Sequence, residues 1–220
     1  MSEIYRLSPY QNSGTQELTE NWERIESSLE HMFVPRLNSL YKLDYDTTGI
    51  TFTPPFTHPY PPDNLPIPSG AILVVASGTG LDLEKLLFLT NSFPGKFFTL
   101  PESPKIVDLP RVPSSSWGNP NIVAVLARSG LGTIWQALLN QKPVGVVRVL
   151  PQEDPEIFHN ADMIQRVGIG GIIDTDLDNF VDTLPRYLSM MNKQLDEEMR
   201  EFGTIDGIEF TSYQLKQLLS

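Results

Sequence analysis

The chain has 220 residues, a formal net charge of −11 and no cysteine, a length that suits one α/β domain with an appendage. The acidic balance argues against a nucleic-acid surface, while the lack of cysteine excludes disulfides and thiolate metal sites and fits a cytoplasmic protein. No apolar stretch approaches the roughly 20 residues of a membrane-spanning helix, and three scattered histidines predict no metal site.

The first 69 residues are predicted to be an extension rather than a domain. Residues 51–69 are dense in proline, which excludes helix and interior strand and favours an extended linker between units. Residues 15–43 have the spacing of one amphipathic helix, and its apolar stripe consists of Leu18, Trp22, Ile25, Leu29, Met32 and Phe33.

From residue 70 onward, strand and helix patterns alternate. Buried strands are predicted at 71–76, 96–100, 105–109, 122–127, 144–150 and 168–173. Helices are predicted at 81–89, 132–140, 155–167 and 174–202, the last with a break or kink at Pro185. The alternation predicts a Rossmann-like α/β domain over residues 70–220, with a parallel sheet of about five or six strands, helices on both faces and C-terminal helices at its end.

Two glycine-containing turns follow buried strands of this sheet and open helices. Ligands of an open parallel sheet bind outside the carboxyl ends of its strands, where a helix N-terminus offers backbone N–H groups to an anion. We expect the two turns to lie side by side and to hold one diphosphate; the alternative is that the glycines only permit tight packing. The turns are Ser77-Gly78-Thr79-Gly80 and Arg128-Ser129-Gly130-Leu131-Gly132-Thr133.

A polar cluster begins the helix predicted at 155–167. Asp154, Glu156, His159 and Asn160 fall close together on it. Carboxylates and an amide in one place suit the hydroxyl groups of a sugar. An acidic first turn is also what the helix dipole favours, so this cluster alone has a purely structural explanation.

Together these segments, "ARSGLGTIWQALLNQKPVGVV…LPQEDPEIFHNADMIQRVGIGGII", resemble the donor-binding half of GT-B glycosyltransferases. The pattern is most similar to the UDP-N-acetylglucosamine transferase of lipid II synthesis and its relatives, the glycosyltransferase family 28 type. It covers roughly residues 70–200. The counterparts of the family's motifs are Arg128-Ser129-Gly130, Gln136-Ala137-Leu138, Lys142-Pro143, Asp154 and Asn160-Ala161, and Ser77–Gly80 is similar to the turn that opens the family's donor domain.

The resemblance implies a role for each position. It assigns the diphosphate to Ser77, Gly78, Thr79, Gly80, Ser129, Gly130, Gly132 and Thr133, the ribose and sugar to Gln136, Asp154, Glu156, His159 and Asn160, and a place in the cleft to Arg128. No metal or other cofactor is implied. The chain departs from the family where Gln136 replaces an acidic ribose ligand and where Pro155 and Ile157 replace common polar residues.

The resemblance implies a donor-binding domain for a nucleotide sugar, expected to be a UDP-sugar, that transfers it only with an acceptor domain or subunit. Residues 1–69 are too short for the second Rossmann-like domain, and neither His31 nor His58 is identified as a base. Two alternatives stay open: a non-catalytic nucleotide-sugar-binding or interaction module, and a GT-B-like epimerase or sugar-nucleotide hydrolase. The expected partners are a nucleoside diphosphate sugar and an acceptor-binding domain or subunit, or a second copy in a homodimer, with no nucleic acid.

Overall fold

The computed structural model describes residues 13–36, 49–76, 83–92, 95–103, 109–147, 154–173 and 177–219. None of the helices in these ranges combines the length and the apolarity that crossing a bilayer requires. In chain order the elements are α1 (Ser13–Glu26), β1 (Met32–Pro35), β2 (Ile50–Thr53), β3 (Ala71–Val75), α2 (Leu83–Ser92), β4 (Phe97–Thr99), a 3₁₀ helix (Ser114–Gly118), β5 (Ile122–Ala127), α3 (Leu131–Leu139), β6 (Val144–Val147), α4 (Pro155–Val167), β7 (Gly170–Ile173), α5 (Leu177–Phe202) and α6 (Gly207–Leu218).

A five-stranded parallel sheet, in the order β4-β3-β5-β6-β7, confirms the Rossmann-like prediction. Its strands are apolar without interruption because both faces are covered. Leu73 and Val125 face a cluster that includes side chains of α3 and α4, while Val74 and Leu126 face one that includes α2 and the first half of α5. The helices therefore lie on both sides of the sheet.

The strand order reverses between β3 and β5. β3 pairs with β4 on one side and with β5 on the other, and Val75 lies opposite Ala127. In open α/β sheets the crevice at the carboxyl end of such a reversal is where ligands bind. The turn that leaves β5 begins at this crevice, whereas the predicted partner turn, residues 77–80, lies outside the described residues.

The N-terminal region corrects the predicted helix over 15–43. α1 ends at Glu26, where the hydroxyls of Ser27 and Ser28 donate to the carbonyl oxygens of Arg24 and Ile25. Met32–Pro35 then form β1, which pairs in parallel with β2. The helical prediction is therefore wrong between Glu26 and Pro35, because apolar side chains here serve a strand and local serine bonds end the helix.

The proline-rich residues 54–68, hereafter the proline strap, have no regular secondary structure. They nevertheless bond to and pack against residues of the predicted Rossmann-like domain. The amides of Asn119 and Asn121 donate to the carbonyl oxygens of Leu65 and Ile67, at 3.1 and 2.8 Å, and Ile67 is buried in the core. The predicted domain boundary at residue 70 stays a prediction.

Of the remaining predicted elements, α4 agrees with the structure and α5 differs from it. α4 has the predicted bounds, because Asp154 caps its first turn and Gly168, in the left-handed conformation at φ 77°, ends it. α5 continues through Pro185 without the predicted break, since Leu184 and Met191 are buried on either side of it. The strand predicted at 105–109 lies almost wholly outside the described residues, and Leu109 belongs to no strand.

An ion-pair cluster fastens the end of β1 to α5. Arg36 Nε donates to Glu198 Oε1 at 3.1 Å, and the guanidinium also pairs with Glu201. Glu198 is fully buried. Burial raises the pKa of the Glu198 carboxyl, and the Arg36 guanidinium offsets part of that rise. The small β1–β2 sheet is thereby joined to the C-terminal helices.

A buried lysine lies beneath the main sheet, at the amino end of β6. Lys142 Nζ donates to the carbonyl oxygens of Asn119 and Ile122, at 2.9 and 2.7 Å. Removal from water lowers the pKa of Lys142 from 10.5 to about 8. Because the unfolded chain holds this proton more tightly, the folded state is penalised wherever Lys142 is charged.

We predict that the free energy of unfolding gains about 2–3 kcal/mol from Lys142 between pH 7 and pH 10. The folded pKa lies below the unfolded one, so the penalty is present at pH 7 and is lost as the pH rises from about 8 towards 10.5. Urea unfolding of the wild type and Lys142→Met at both pH values measures it. The exposed Lys193→Met is the control, and equal pH dependence in wild type and Lys142→Met would contradict the assignment.

Candidate functional site

The turn that leaves β5 is fixed by Ser129. Its backbone has a φ of 73°, which a residue other than glycine seldom adopts. The hydroxyl donates to the carbonyl oxygen of Ile157 at 3.0 Å, contacts the carbonyl oxygen of Arg128, and is fully buried. The Ser129 hydroxyl is thus satisfied within the protein, and its predicted role at a diphosphate stays a prediction.

The same turn receives a second bond from α4, the helix that also contains Ile157. Asn160 Nδ2 donates to the carbonyl oxygen of Ser129 at 2.9 Å, with Glu156 Oε1 a further acceptor at 3.4 Å. Asn160 is only 1% exposed. The Asp154 carboxylate accepts from the backbone N–H of Glu156 at 2.9 Å and caps the helix. The structure therefore brings together the predicted diphosphate turn and the predicted sugar cluster, and it gives Asn160 and Asp154 structural bonds.

Gly130 and Gly132 occupy open space at the start of α3. Gly130 has φ −66° and ψ 139°, a conformation open to any residue. A side chain built at either position meets no atom of the described residues within 4 Å. Packing does demand glycine elsewhere, since a Cβ at Gly170 would lie 2.0 Å from the carbonyl oxygen of Val144. The alternative that the glycines only permit tight packing has no support at 130 and 132.

The first turn of α3 carries backbone N–H groups that have no acceptor among the described residues. The helical bonds begin with the N–H of Ile134, which donates to the carbonyl oxygen of Gly130 at 3.1 Å. The N–H groups before it have no acceptor within the helix, and no acidic residue stands in the first turn. The positive end of the helix dipole is therefore open to an anion.

Gln136, the predicted ribose ligand, bonds to the proline strap. Its Oε1 accepts from Thr57 Oγ1 at 2.6 Å, and its Nε2 donates to the carbonyl oxygen of His58 at 3.0 Å. Its role as a ribose ligand stays a prediction. Nothing in the sequence indicated Thr57, because a lone threonine between prolines carries no motif.

The remaining candidate residues all interact with other groups of the protein. His31 Nε2 bonds to Thr51 Oγ1 at 2.8 Å, and His58 Nδ1 pairs with Asp206, so both histidines discussed as bases have partners. Arg128 and His159 lie in the β5 turn and on α4, each half-buried and engaged with other groups. Within the described ranges, no three histidine or acidic side chains converge as metal ligands would.

No protein-family model matches the chain, and no curated protein matches it. Solved structures do. The glycosyltransferase of kitacinnamycin is 16% identical, with a TM-score of 0.61 over 98% of this chain and 65% of that one. CalG4, the calicheamicin glycosyltransferase, is 14% identical, with a TM-score of 0.60 over 95% and 61%. LpCGTa, solved with UDP, is 17% identical, with a TM-score of 0.59 over 94% and 57%.

At these identities the likeness establishes the fold. The parallel sheet and its helices are a Rossmann-like half of the GT-B glycosyltransferase fold. The chain spans about three fifths of the length of the solved structures that it matches.

We predict that Asn160→Ala lowers the free energy of unfolding by about 1–3 kcal/mol, because it leaves the buried carbonyl oxygen of Ser129 without its amide donor. Hydrogen exchange should rise at the β5 turn and the start of α3. Gln165→Ala, an exposed change on the same helix, is the control and should leave both measurements near wild type. Unchanged exchange in Asn160→Ala would show that the bond does not hold the turn.

Proposed function

We propose that this chain is the donor-binding domain of a GT-B glycosyltransferase and binds a nucleotide sugar, of which a UDP-sugar is the first candidate. One observation carries the proposal: Gly130 and Gly132 leave the N-terminus of α3 clear of the other described residues, where the strand order of the sheet reverses. The resemblance to the lipid II glycosyltransferase type supports it, as does the fold shared with LpCGTa, which was solved with UDP.

The diphosphate is proposed to lie against the first turn of α3. Backbone N–H groups there are pointed at one place before the ligand arrives, so they stabilise the charge that grows on a departing diphosphate without reorganisation. Thr133, with its hydroxyl in the same turn, and the Ser77–Gly80 turn are further proposed contacts. We propose that this binding needs no metal or other cofactor, because the helix end itself supplies the positive charge.

The donor sugar is proposed to lie towards the start of α4. The bonds of Asn160 and Ser129 join the β5 turn to α4. A sugar on the diphosphate would therefore extend from the start of α3 to the start of α4. Glu156, which is half-buried, offers a carboxylate there, and His159 and Arg128 lie at the same junction. We keep the predicted sugar role for this group, with Asn160 and Asp154 acting in part through the bonds that shape it.

Transfer is proposed to require an acceptor-binding domain or subunit. The solved glycosyltransferases continue well beyond the length that this chain covers. The β1–β2 sheet has two strands in the described ranges, and parallel sheets are ordinarily larger and covered on both faces. A second α/β unit would extend that sheet and close the donor site, and we propose that the assembly works in the cytoplasm.

We predict that Gly130→Val reduces UDP affinity about tenfold or more and leaves the melting temperature nearly unchanged. The branched side chain would project into the space in front of the helix amides, where it meets no other described residue and would meet the proposed ligand. Calorimetric titration of UDP and a thermal melt measure the two effects.

Two variants control this experiment. Gly130→Ala places a smaller group at the same point and should cause a smaller loss of affinity. Gln165→Val puts the same side chain on an exposed face of α4 and should bind UDP like wild type. A fall in melting temperature that matches the loss of affinity would favour packing as the role of Gly130.

We predict that the 220-residue chain binds UDP weakly and transfers sugar at no detectable rate. An open half-site lacks the positioning that a closed cleft supplies, which is worth up to about 7–11 kcal/mol, and a general base contributes about 10²–10⁴-fold more. Transfer from UDP-N-acetylglucosamine to a simple acceptor is the assay. Robust transfer by the isolated chain would show that its own N-terminal residues complete the site.

A further inference from the structure

The proline strap is bonded along the length of α3. Besides the two bonds of Gln136, the backbone N–H of Tyr60 donates to Asn140 Oδ1 at 3.0 Å, one helical turn further on. The ring of Phe56 meets that of Trp135 edge to face, with the centroids 6.0 Å apart. Residues 56–60 therefore follow the helix from its middle to its end.

The other side of the same segment is held by the start of α6. The backbone N–H of Gly207 donates to the carbonyl oxygen of Pro55 at 3.0 Å. Asp206 caps α6 by accepting from the N–H of Ile208 and pairs with His58. The strap is thus clamped between two helices, and Gln136 supplies the bonds in the middle of the α3 side.

The position of Gln136 relative to the two glycines follows from the geometry of the helix. It stands four residues after Gly132, hence on the same face of α3 and about 6 Å along its axis. A diphosphate bound at the helix start would have its nucleoside a few ångströms away. Thr57 and His58, bonded to the Gln136 amide, therefore stand at the level of the ribose.

We infer that Gln136 is a positioning residue, which holds Thr57 and His58 of the proline strap as a wall beside the nucleoside, rather than a direct ligand of the ribose. The inference rests on the proposed function, since it assigns part of the same site. Its basis is the pair of bonds that occupies both ends of the Gln136 amide.

The two roles differ in what they demand of residue 136. Holding the strap needs a donor for the His58 carbonyl oxygen and an acceptor for the Thr57 hydroxyl, and only an amide of this length offers both. A carboxylate keeps the acceptor and sets a charge against the carbonyl oxygen. A direct ribose ligand would instead gain from a carboxylate, because charged hydrogen bonds to hydroxyls are stronger.

The test compares Gln136→Glu, Gln136→Leu and Thr57→Val with Thr183→Val, a remote threonine change, as the control. Each variant is titrated with UDP and with inorganic pyrophosphate, which lacks the nucleoside. We expect the first three to bind UDP about three- to tenfold more weakly, the effect of one lost hydrogen bond, and to bind pyrophosphate like wild type. Emission of Trp135, recorded in a Trp22→Phe/Trp117→Phe background that leaves it as the one tryptophan of the chain, should shift in the same three variants.

Several outcomes would overturn the inference, and they are distinct from failure of the proposed function. Tighter UDP binding by Gln136→Glu, or wild-type affinity in Thr57→Val beside a loss in Gln136→Leu, would make Gln136 a direct ligand. Unchanged affinity in all three would show that the strap does not serve the site. If the wild type binds neither UDP nor pyrophosphate, the proposed function itself fails and the inference falls with it, while Trp135 emission still reports whether Gln136 fastens the strap.

Discussion

The conformation of Ser129 determines the geometry of the whole candidate site. A left-handed backbone at a residue other than glycine costs about 1–3 kcal/mol and persists only where its surroundings impose it. Here the hydroxyl donates to the carbonyl oxygen of Ile157 and the Asn160 amide donates back to the Ser129 carbonyl oxygen. These bonds aim the first turn of α3 into the crevice at the carboxyl end of the sheet. The proposed anion site would therefore be made from backbone, with glycines where a ligand must approach.

Such a site depends on the shape of the chain more than on charged side chains. The net charge of the protein is −11, yet the first turn of α3 carries no acidic residue and its amides face no other described residue. The proposed attraction for a diphosphate would thus rest on a local dipole set within an acidic molecule. The proline strap places neutral polar groups beside the second turn of α3. These groups add hydrogen bonds and shape to the proposed site without adding a charge.

Those parts of the fold that arise from local patterns could be predicted from the sequence. Continuous apolar runs marked β3 and β5 because both faces of these strands are covered, and the helical pattern over residues 155–167 marked α4. The stripe from Leu18 to Phe33 misled because its last members suit a strand as well as a helix. The partners of Gln136 were beyond reach, because Thr57 lies 79 positions away and no local pattern links the two. That the β5 turn and α4 lie together could be predicted only because neighbouring parallel strands end at the same edge of the sheet.

The Arg36–Glu198 pair has a consequence for how the chain folds. Its partners are 162 positions apart, and the His58–Asp206 pair spans 148. Contacts between residues so far apart in sequence form late, because closing a large loop costs conformational entropy before the contact stabilises the structure. During synthesis the N-terminal helix and strands emerge long before the helices that fasten them. The β1–β2 sheet must therefore wait, without the contacts that fasten it, until α5 and α6 have also left the ribosome.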